Sequence, residues 1–463
     1  MSDGETTQTE QVARPRPARP NYAARRMLVT TIGITALVAA GVAAWSVLRG
    51  DDGDASSPET EWDEIALIDR ATGSVARFDD AGEPIATTAG SGRVSTVHAH
   101  AGRLALVGAT TIVLTDGTED DEPTTIEIPR RSIVTPVETA STMHLLVGSS
   151  AGGNLSIVDV ADGSVIDVGA AAAPTVPKLF VETVQVAADG SRFAVADAAN
   201  FQTIVVGDDI DGAAFLADQP VAVGEDLIAT SQVVNLQADI SLVDLERRTE
   251  AVVPTELPRG GVMVGDDLVM VSVDGGVFRI GPGDREAERI GAVTVPAGGA
   301  VSWAQPSWFG ERLVVGGAGF AAVVDLDGTN LFSTTFASST EQLRPRPTWR
   351  CLPVGGETGH SIVDLETGEQ LADLTGLAVE SLSADGCTVV GDRDGTYELV
   401  DRAGRVELGT PRRVALAPDG DAVVWTTTEG RTELVPIDDD LTLGDPVELV
   451  DAPTNGFVTF LRR

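Results

Sequence analysis

The stretch HSIVDLETGEQLADL, from His360 to Leu374, reads as an apolar run, an acidic turn with a glycine, and a second apolar run. Earlier in the chain, NLSIVDVADGSVIDVG (Asn154 to Gly169) has the same form. Aspartate and glycine tolerate the left-handed backbone angles of tight turns, and the flanking runs contain residues that favour sheet. Each stretch therefore predicts two short strands joined by a tight turn.

The phrase recurs along the whole chain after residue 62. Copies lie at 64–79, 110–117, 154–168, 202–216, 239–253, 275–290, 320–334, 360–374, 396–409 and 431–449. A second strand–turn–strand pair precedes most copies, for example VQVAADGSRFAVAD (184–197) and VALAPDGDAVVWT (414–426). Together the two pairs make a unit of four antiparallel strands in about 40 residues, the period of a propeller blade. Because one such sheet cannot bury both faces alone, neighbouring units must stack and close into a ring.

The composition agrees with this interpretation. Hydrophobic residues are 43% of the chain but aromatics only 4%, so the core must be built from Val, Ala, Leu and Ile. The 50 glycines and 24 prolines suit many short strands and tight turns. We therefore expect an all-β fold: a single β-propeller of four-stranded blades over residues 62–463.

The number of blades follows less directly from the repeats. Nine units lie between Gly92 and Leu449, and a hairpin at 64–79 and a strand at 455–461 remain. The two remnants together complete one further blade, which closes the ring and removes its edges. Because propellers typically have 4–8 blades, we expect eight, within a range of about 7–10.

The phrases VDLETGEQL and IDRATGSVARF resemble the YVTN and quinoprotein-type (PQQ-like) repeats of bacterial β-propellers, which include envelope scaffolds without enzyme activity. The resemblance covers residues 62–463 as a pattern. Quinoprotein repeats place a tryptophan after the turn, whereas this chain has Arg77-Phe78, Val165-Ile166 or Leu371-Ala372 there. The resemblance thus implies a propeller without a bound quinone, and we expect no cofactor.

An apolar segment near the start of the chain predicts one membrane-spanning helix. Residues 27–48 carry no charge, and a spanning helix needs roughly 20 apolar residues. Arginines precede the segment and aspartates follow it. This asymmetry predicts a disordered cytoplasmic tail (1–26), an acidic linker (49–61) and an extracytoplasmic propeller. A cleavable signal peptide has a shorter apolar run, a lipoprotein needs a cysteine at its end, and the arginine pair at 25–26 lacks the flanks of a twin-arginine signal.

The net charge limits the possible partners. The chain carries 32 basic and 70 acidic side chains, and residues 1–50 hold six of the former and three of the latter. The remaining 26 basic and 67 acidic side chains give residues 51–463 a net charge of −41. A surface of this sign repels nucleic acid and anionic membrane.

The two cysteines begin the second strand of consecutive units. Cys351 and Cys387 are 36 residues apart, in a compartment where disulfides persist. Equivalent points on packed sheets are roughly 10 Å apart, whereas a disulfide needs α-carbons within about 7 Å. Both residues follow a turn, where blades lean together. We therefore predict a disulfide between adjacent blades.

Three short motifs suggest chemistry but are incomplete. GSSAG (148–152) matches the G-x-S-x-G hydrolase pattern, yet it lies inside a predicted hairpin rather than between a strand and a helix. His98 and His100 share one face of a strand, whereas a metal site needs at least a third ligand. Aspartate clusters at 118–122, 207–211, 392–395 and 437–440 lack the full calcium-binding loop. We interpret these motifs as turns and surface histidines, with no metal site.

Arginines recur where the last strand of one unit connects to the first strand of the next. The stretches are PRRSIV (129–134), PRGGVM (258–263), RPRPTW (344–349) and PRRVAL (411–416). In a propeller these connections gather on one face around the channel, so we expect a basic surface that binds an anionic ligand, with indoles beside it. The predicted binding residues are Arg130, Arg131, Arg259, Arg344, Arg346, Arg412, Arg413, Trp303, Trp308 and Trp349. The alternative is that the arginines pair with carboxylates and the tryptophans belong to the core.

Together these features predict a membrane-anchored, single-pass, extracytoplasmic propeller that acts as a binding or scaffolding module in the cell envelope. The expected partner is an envelope protein or an anionic polymer, and not nucleic acid. The alternative is an envelope enzyme, either a quinoprotein-like oxidoreductase or a hydrolase. Because the sequence offers no complete metal set, catalytic triad or cofactor-docking pattern, we expect no enzyme activity.

Overall fold

Ten separate sheets follow one another along the chain. They are the blades of a single all-β propeller, which confirms the predicted fold class and the four-stranded blades, but the expected number of eight is wrong. Each of the nine repeat units is a blade, and the two terminal remnants form the tenth. The expectation of eight blades rested on the typical size of propellers, and it was too low by two.

The structure is a computed structural model. It describes residues 41–43 and 62–461, except 119–120, 140–141, 150–154, 173–178, 180, 188–189, 198–199, 201, 208–209, 211–212, 225, 235–236, 245–248, 308–309, 336–344, 347, 357–358, 439 and 454.

We number the blades along the chain and give their strands from the innermost outward. Blades 1 to 5 comprise Thr96–His100, Arg103–Val107, Thr111–Thr115 and Thr124–Glu127; Ser132–Glu138, Met143–Ser149, Leu155–Asp159 and Val165–Asp167; Val181–Ala187, Arg192–Asp197, Gln202–Gly207 and Ala214–Ala217; Gln219–Val223, Leu227–Val234, Gln237–Asp244 and Thr249–Glu256; Pro258–Val264, Asp267–Ser272, Gly276–Ile280 and Glu288–Ala292.

Blades 6 to 10 continue in the same order. They comprise Val301–Ser307, Arg312–Gly317, Phe320–Asp325 and Asn330–Thr335; Cys351–Gly356, Gly359–Asp364 and Gln370–Asp373; Ala378–Leu382, Val389–Arg393, Thr396–Val400 and Arg405–Gly409; Arg413–Leu416, Ala422–Thr426, Thr432–Pro436 and Val447–Glu448; Gly456–Leu461, Glu64–Asp69, Val75–Asp79 and Pro84–Thr88. Blade 7 has three described strands.

The aspartate and glycine of the repeated phrase explain its turn. Asp364 accepts hydrogen bonds at Oδ1 from the backbone N–H groups of Glu366 (2.7 Å) and Thr367 (3.1 Å). Gly368 follows with φ 72°, a left-handed angle that glycine adopts without steric cost. The carboxylate thus satisfies the turn's backbone donors, and the glycine reverses the chain.

Blade 10 closes the ring with strands from both ends of the propeller. Its innermost strand, Gly456–Leu461, pairs antiparallel with Glu64–Asp69 through six residue pairs. The predicted closure by two remnants is therefore confirmed. The hairpin at 64–79 supplies the second and third strands of this blade, whereas in other blades the same phrase supplies the third and fourth.

Every seam between neighbouring blades has its own apolar cluster, including the seam that joins blade 10 to blade 1. Within one strand, alternate side chains enter different seams: Ile65 and Leu67 pack against blade 9, whereas Ala66 and Ile68 pack against blade 1. Because both faces of each blade are buried, strands such as EIALID are continuously apolar rather than alternating.

Each blade presents turns on two opposite faces, since its strands are antiparallel. The turn face carries the turns between first and second strands and between third and fourth strands. The connection face carries the turns between second and third strands, together with the connections from the outermost strand of one blade to the innermost strand of the next. These two names are kept below.

On the turn face, four arginines connect neighbouring blades. Each donates from its guanidinium to a backbone carbonyl in the turn between the third and fourth strands of the next blade: Arg77 to Asp116, Arg103 to Ala161 (2.5 Å), Arg279 to Leu326 (3.1 Å) and Arg312 to Leu365 (3.1 Å). These bonds cross the seams at points where the backbone carbonyl would otherwise lack a donor.

Two elements lie outside the blade pattern. Val168–Ala172 forms a five-residue α-helix in the connection from blade 2 to blade 3, where the sequence predicts no helix. It packs into the seam through Val168 and Ala172. The strand Gly41–Ala43 pairs in parallel with Val181–Ala187, the innermost strand of blade 3.

Gly41–Ala43 belongs to the predicted membrane segment, and the rest of that segment, the tail and the linker lie outside the described residues. Within the part of the chain that the structure describes, no helix is long and apolar enough to cross a membrane. The membrane helix at 27–48 therefore stays a prediction.

Candidate anion-binding site on the connection face

Three of the four predicted arginine stretches lie on the connection face, beside the channel. Arg130 and Arg131 precede the innermost strand of blade 2, Arg259 is the second residue of that strand in blade 5, and Arg412 and Arg413 stand at its start in blade 9. All five are exposed. Arg259 is separated from blade 2 by three blade positions and from blade 9 by four, so it stands apart from the other four.

The fourth stretch, RPRPTW, lies on the other face, which corrects the sequence interpretation. Ser307, the last residue of the innermost strand of blade 6, donates from its hydroxyl to the carbonyls of Arg346 (3.0 Å) and Trp349 (3.1 Å). Thr348 donates to the carbonyl of Ala384 in the first turn of blade 8 (3.1 Å). Both partners are on the turn face. Arg344 lies outside the described residues.

The tryptophans contribute to packing rather than to this surface. Trp349 is 4% exposed and belongs to the cluster between blades 6 and 7. Trp303 is half-buried and packs against the same cluster, and Trp308 lies outside the described residues. The core alternative therefore holds for Trp303 and Trp349.

Closure of the ring joins blade 9 to blade 10 through two arginines. Arg413 donates from Nη1 to the carbonyl of Gly456 (2.5 Å) and from Nη2 to Oδ1 of Asn455 (3.1 Å). The backbone N–H of Arg70 donates to the carbonyl of Asn455 (3.3 Å), and its guanidinium carbon lies 5.7 Å from the ring centroid of Phe457. Arg413 and Arg70 thus flank the same short segment.

The contacts continue from Arg70 to blade 1 and towards blade 2. Val94, the neighbour of Arg93, donates from its backbone N–H to the carbonyl of Arg70 (3.0 Å). Ile128, at the start of the connection to blade 2, donates to the carbonyl of Thr110 in blade 1 (2.8 Å). The segments that carry the arginines of blades 9, 10, 1 and 2 are therefore contiguous.

We name this group of six exposed residues the basic arc: Arg70, Arg93, Arg130, Arg131, Arg412 and Arg413. The sequence interpretation missed Arg70 and Arg93, because each is a single arginine in a turn or connection. Only ring closure, which places blade 10 between blades 9 and 1, brings them beside the arginine pairs. The available signal was that both lie between two strands, in segments that cross the connection face.

The arc is basic on a protein that is otherwise strongly acidic. From the connection into blade 9 to the connection into blade 2, the segments between strands on this face contain six arginines, Arg431 among them, and two carboxylates. The net charge of the whole chain is −38. A local excess of positive charge here attracts anions that the rest of the surface repels.

None of the six arc arginines has a carboxylate partner within the described ranges. The ion pairs within the described ranges involve five other arginines: Arg77, Arg312, Arg393, Arg405 and Arg431. Arg413 and Arg70 contact only neutral groups, as described above. The alternative that the predicted arginines merely neutralise nearby carboxylates therefore does not describe the arc.

Arg131 occupies a backbone position that suits glycine better. Its φ is 65°, at the third position of a turn in which the N–H of Ser132 donates to the carbonyl of Pro129 (3.2 Å). A left-handed angle costs a residue with a Cβ roughly 1–2 kcal/mol. The turn thus keeps an arginine side chain at the arc although glycine would relieve the backbone.

The far side of the connection face has the opposite character. Glu256 of blade 4 and Asp274 of blade 5 form a hydrogen-bonded pair, which raises the pKa of Glu256 and lowers that of Asp274 to about 2. Burial also raises the pKa of Glu256, and the hydroxyl of Ser272 donates to Asp274 (2.5 Å). Two neighbouring carboxyl groups disfavour an anion at this point of the face.

The histidines lie away from the arc. His98 is on the innermost strand of blade 1, where burial and then the charge of Arg346 lower its pKa. No cluster of three or more metal-binding side chains occurs among the described residues, and of GSSAG the structure describes Gly148 and Ser149, at the end of a strand of blade 2.

The cysteines form a disulfide across the seam between blades 7 and 8, with α-carbons 4.8 Å apart. The two turns approach because the N–H groups of Arg350 (2.7 Å) and Cys351 (2.9 Å) both donate to the carbonyl of Asp385. Cys387 follows Asp385 by two residues. This pairing between turns explains how equivalent positions come within disulfide distance.

The arrangement defines a class: a ten-bladed β-propeller with a basic arc at the mouth of its channel. No protein-family model matches this chain, and neither does any curated protein. Among solved structures it is similar to apo AztD from Citrobacter koseri, with 10% identity over 86% of this chain and 97% of that chain and a TM-score of 0.39.

Two further solved structures are similar to it. A eukaryotic initiation factor shares 9% identity over 84% of this chain and 96% of its own, with a TM-score of 0.43. The dihydro-heme d1 dehydrogenase NirN in complex with DHE shares 12% identity over 94% of this chain and 81% of its own, with a TM-score of 0.35. At such identities the similarity concerns the fold alone, and nothing about ligand or activity follows.

Proposed function

We propose that the protein is a membrane-anchored binding or scaffolding module of the cell envelope, and that the basic arc binds an anionic polymer or an acidic partner. The observation that carries the proposal is six exposed, contiguous arginines without carboxylate partners within the described residues of an acidic protein. Guanidinium groups bind carboxylate and phosphate in a bidentate manner. The fold itself is consistent with a binding or scaffolding role.

The extent of the arc favours a ligand with several anionic groups. The six arginines are distributed over four of the ten blades, so a single small anion contacts few of them at once. A polymer or an extended acidic surface follows the curve of the channel mouth and engages several. Each additional charge-assisted hydrogen bond then adds to the affinity.

The propeller begins at Trp62, which lies on the turn face. Trp62 donates from its indole Nε1 to Oδ1 of Asp421 (2.7 Å), in the first turn of blade 9 on the turn face. A linker of 13 residues (49–61) reaches roughly 45 Å when extended. In the proposed topology the acidic linker leads to Trp62 at the turn face, the face opposite to the one that carries the arc.

The function proposed is binding rather than catalysis. Repeats of this kind resemble those of envelope scaffolds, and the quinoprotein tryptophans are replaced in the sequence. The arc offers guanidinium groups, which stabilise anions, but no nucleophile and no proton-transfer pair stands beside it among the described side chains.

The binding test uses the full-length protein and long-chain polyphosphate as the anionic probe. In the double variant Arg130→Ala, Arg131→Gly we expect affinity to fall about tenfold or more, because two charge-assisted contacts are lost. The melting temperature should not fall, since glycine relieves the strained backbone angle of Arg131. Added salt should lower the affinity of the unmutated protein for polyphosphate towards that of the variant.

Arg259→Ala is the matched control, because Arg259 is exposed on the same face but lies outside the arc. It should keep the affinity of the unmutated protein. Equal losses in the control and the double variant, or no loss in either, would show that the arc is not the binding site.

The topology needs a separate measurement. Protease added to intact, wall-stripped cells should digest the chain after residue 51 and spare the N-terminal tail. Protection of the propeller would overturn the extracytoplasmic location while leaving the binding test intact.

A further inference from the structure

Two adjoining cavities lie at the seam that closes the ring. The first, about 500 Å³, lies between the outer strands of blades 10 and 1, and the second, about 610 Å³, opens on the turn face between blades 10, 1 and 2. Thr118 and Asp121 line both. The two volumes are within the range of small-molecule sites, and the shared residues show that the cavities adjoin; we refer to the pair as the cleft.

Two arginines line the second cavity, and Arg77 is buried whereas Arg103 is half-buried. The guanidinium of Arg77, 2% exposed, forms an ion pair with Glu64 and donates to the carbonyl of Asp116, while Arg103 donates to the carbonyl of Ala161. The Nε–H groups of Arg77 and Arg103 are buried and have no acceptor among the described residues. A buried donor without an acceptor costs free energy, and both arginines line this cavity.

Acceptors face the same space. Asp116 and Asp121 line the second cavity with Thr118, whose hydroxyl donates to Oδ1 of Asp116 (2.6 Å). Glu64 neutralises Arg77, so Arg103 is left with two carboxylates. This balance disfavours a free anion, and the mixture of donors and acceptors matches hydroxyl groups, each of which both donates and accepts.

The first cavity extends this chemistry along the seam. Thr87, Thr88 and Ser91 line it together with the apolar Leu106 and Val113. Because Thr87 and Thr88 are consecutive strand residues, their side chains point to opposite sides of the sheet. A lining that mixes hydroxyl and apolar side chains suits a ligand with polar edges and C–H faces, whereas a purely apolar ligand would form no hydrogen bonds with it.

The rim of the first cavity is held rigidly. A Cβ on Gly73 (φ 72°) would lie 2.4 Å from the carbonyl oxygen of Gly92, and one on Gly90 would lie 2.1 Å from the carbonyl oxygen of Thr72. The turn of blade 10 and the connection to blade 1 therefore pack backbone against backbone. Such a rim is preorganised and loses little entropy on binding.

We propose that this cleft binds a neutral polyhydroxylated ligand, a chain of sugar or polyol units. The site is separate from the basic arc, and its ligand need carry no charge. Donors of Arg77 and Arg103 and acceptors of Asp116 and Asp121 fix the hydroxyl groups at one end, and the hydroxyl-lined groove receives the rest of the chain.

The test probes full-length protein on an array of neutral linear oligosaccharides and polyols, with long-chain polyphosphate as the anionic comparison. Ala161→Leu narrows the second cavity from an exposed turn position. Ala403→Leu is the matched control: both alanines donate their N–H to the aspartate two residues earlier (2.6 Å), both are exposed, and Ala403 lies in blade 8.

We expect at least one neutral probe to bind, with affinity reduced about tenfold or more in Ala161→Leu and unchanged in Ala403→Leu. The arc variant Arg130→Ala, Arg131→Gly should bind that probe normally, which separates this proposal from the anionic one. Absence of any neutral binder, or equal binding by Ala161→Leu and Ala403→Leu, overturns the cleft. Binding of polyphosphate alone supports the arc and also overturns the cleft.

Discussion

On the turn face, arginines reach across blade seams to carbonyls of the next blade, and the same face carries the disulfide and the Trp62–Asp421 contact. On the connection face, the six arginines of the basic arc lack carboxylate partners within the described residues, whereas the neighbouring Arg431 pairs with Glu429 and Glu433. The same residue type therefore serves cohesion on one face and leaves charge available on the other. The difference follows from what lies within reach: a turn of the adjacent blade, or solvent above the channel.

Among the substitutions that test this difference between the faces, Arg77→Ala should lower the free energy of unfolding most. Arg77→Ala leaves Glu64, 2% exposed, as a buried carboxylate without its ion-pair partner. Loss of one partner of a buried pair costs about 3–5 kcal/mol. Denaturant unfolding should show this loss for Arg77→Ala, whereas Arg93→Ala in the arc should stay within about 0.5 kcal/mol of the unmutated protein. Similar values for both would remove the distinction between the faces.

The disulfide gives the next largest effect. Cys351 and Cys387 close a loop with a sequence separation of 36 residues, and the loop-entropy relation for this length gives about 3–4 kcal/mol. The variant Cys351→Ser, Cys387→Ser should unfold at correspondingly lower denaturant concentration. Binding at the arc, on the other face and at other blades, should not change. Two free thiols in the unfolded, unreduced protein would contradict the bridge itself.

Loss of a single hydrogen bond across a seam should lower the free energy of unfolding by a smaller amount. Arg279→Ala removes the hydrogen bond to the carbonyl of Leu326, and we expect a loss of about 1–2 kcal/mol. Arg412→Ala, an exposed arginine of the arc, should change the free energy of unfolding by less than about 0.5 kcal/mol. If Arg412→Ala were the more damaging substitution, the arc would be structural and its proposed role in binding would lose support.

The smallest expected effect is a pH dependence of stability at the first turn of blade 9, where Asp421 contacts Trp62. Burial, and then a hydrogen bond with Asp421, raise the pKa of Asp419 to about 7. Because this pKa lies above its unfolded value, the stabilisation is complete below about pH 4 and is lost as pH rises through about 7. The unmutated protein should therefore gain stability between about pH 8 and about pH 5.5 relative to Asp419→Asn.

Comparison with that variant isolates Asp419 from His98, whose lowered pKa acts in the opposite direction over the same range. Melting curves of both proteins at the two pH values supply the measurement. Parallel pH profiles would show that Asp419 does not titrate in the range that its partial burial and its contact with Asp421 predict.

The sequence predicted the fold well because each blade repeats the same local chemistry. The Asp and Gly of VDLETG satisfy and reverse one turn, and that requirement recurs in blade after blade. The blade number was wrong because a general size preference overruled the repeats. RPRPTW was expected on the connection face, whereas the carbonyls of Arg346 and Trp349 accept hydrogen bonds from Ser307 at the turn face. For Trp349 the sequence left open a place beside the basic surface or in the core, and the structure places it in the core.

The candidate site could be predicted only in part for a different reason. Arg130 and Arg412 share a local pattern that is visible in the sequence. Arg70 and Arg93 do not, and they join the arc only because the last strand of the propeller pairs beside the first. Proximity that depends on ring closure has no local signature, and neither has a cleft between the first and last blades.

The composition of blade 10 also bears on synthesis. A ribosome delivers Glu64–Asp69 well before Gly456–Leu461, so a chain released before residue 456 has every strand of blade 10 except the innermost. A polypeptide released before residue 456 lacks the acceptor of Arg413 and the aromatic ring beneath Arg70. It leaves the edge of Glu64–Asp69 open. The arc and the closed ring therefore form together, once the innermost strand of blade 10 pairs with Glu64–Asp69.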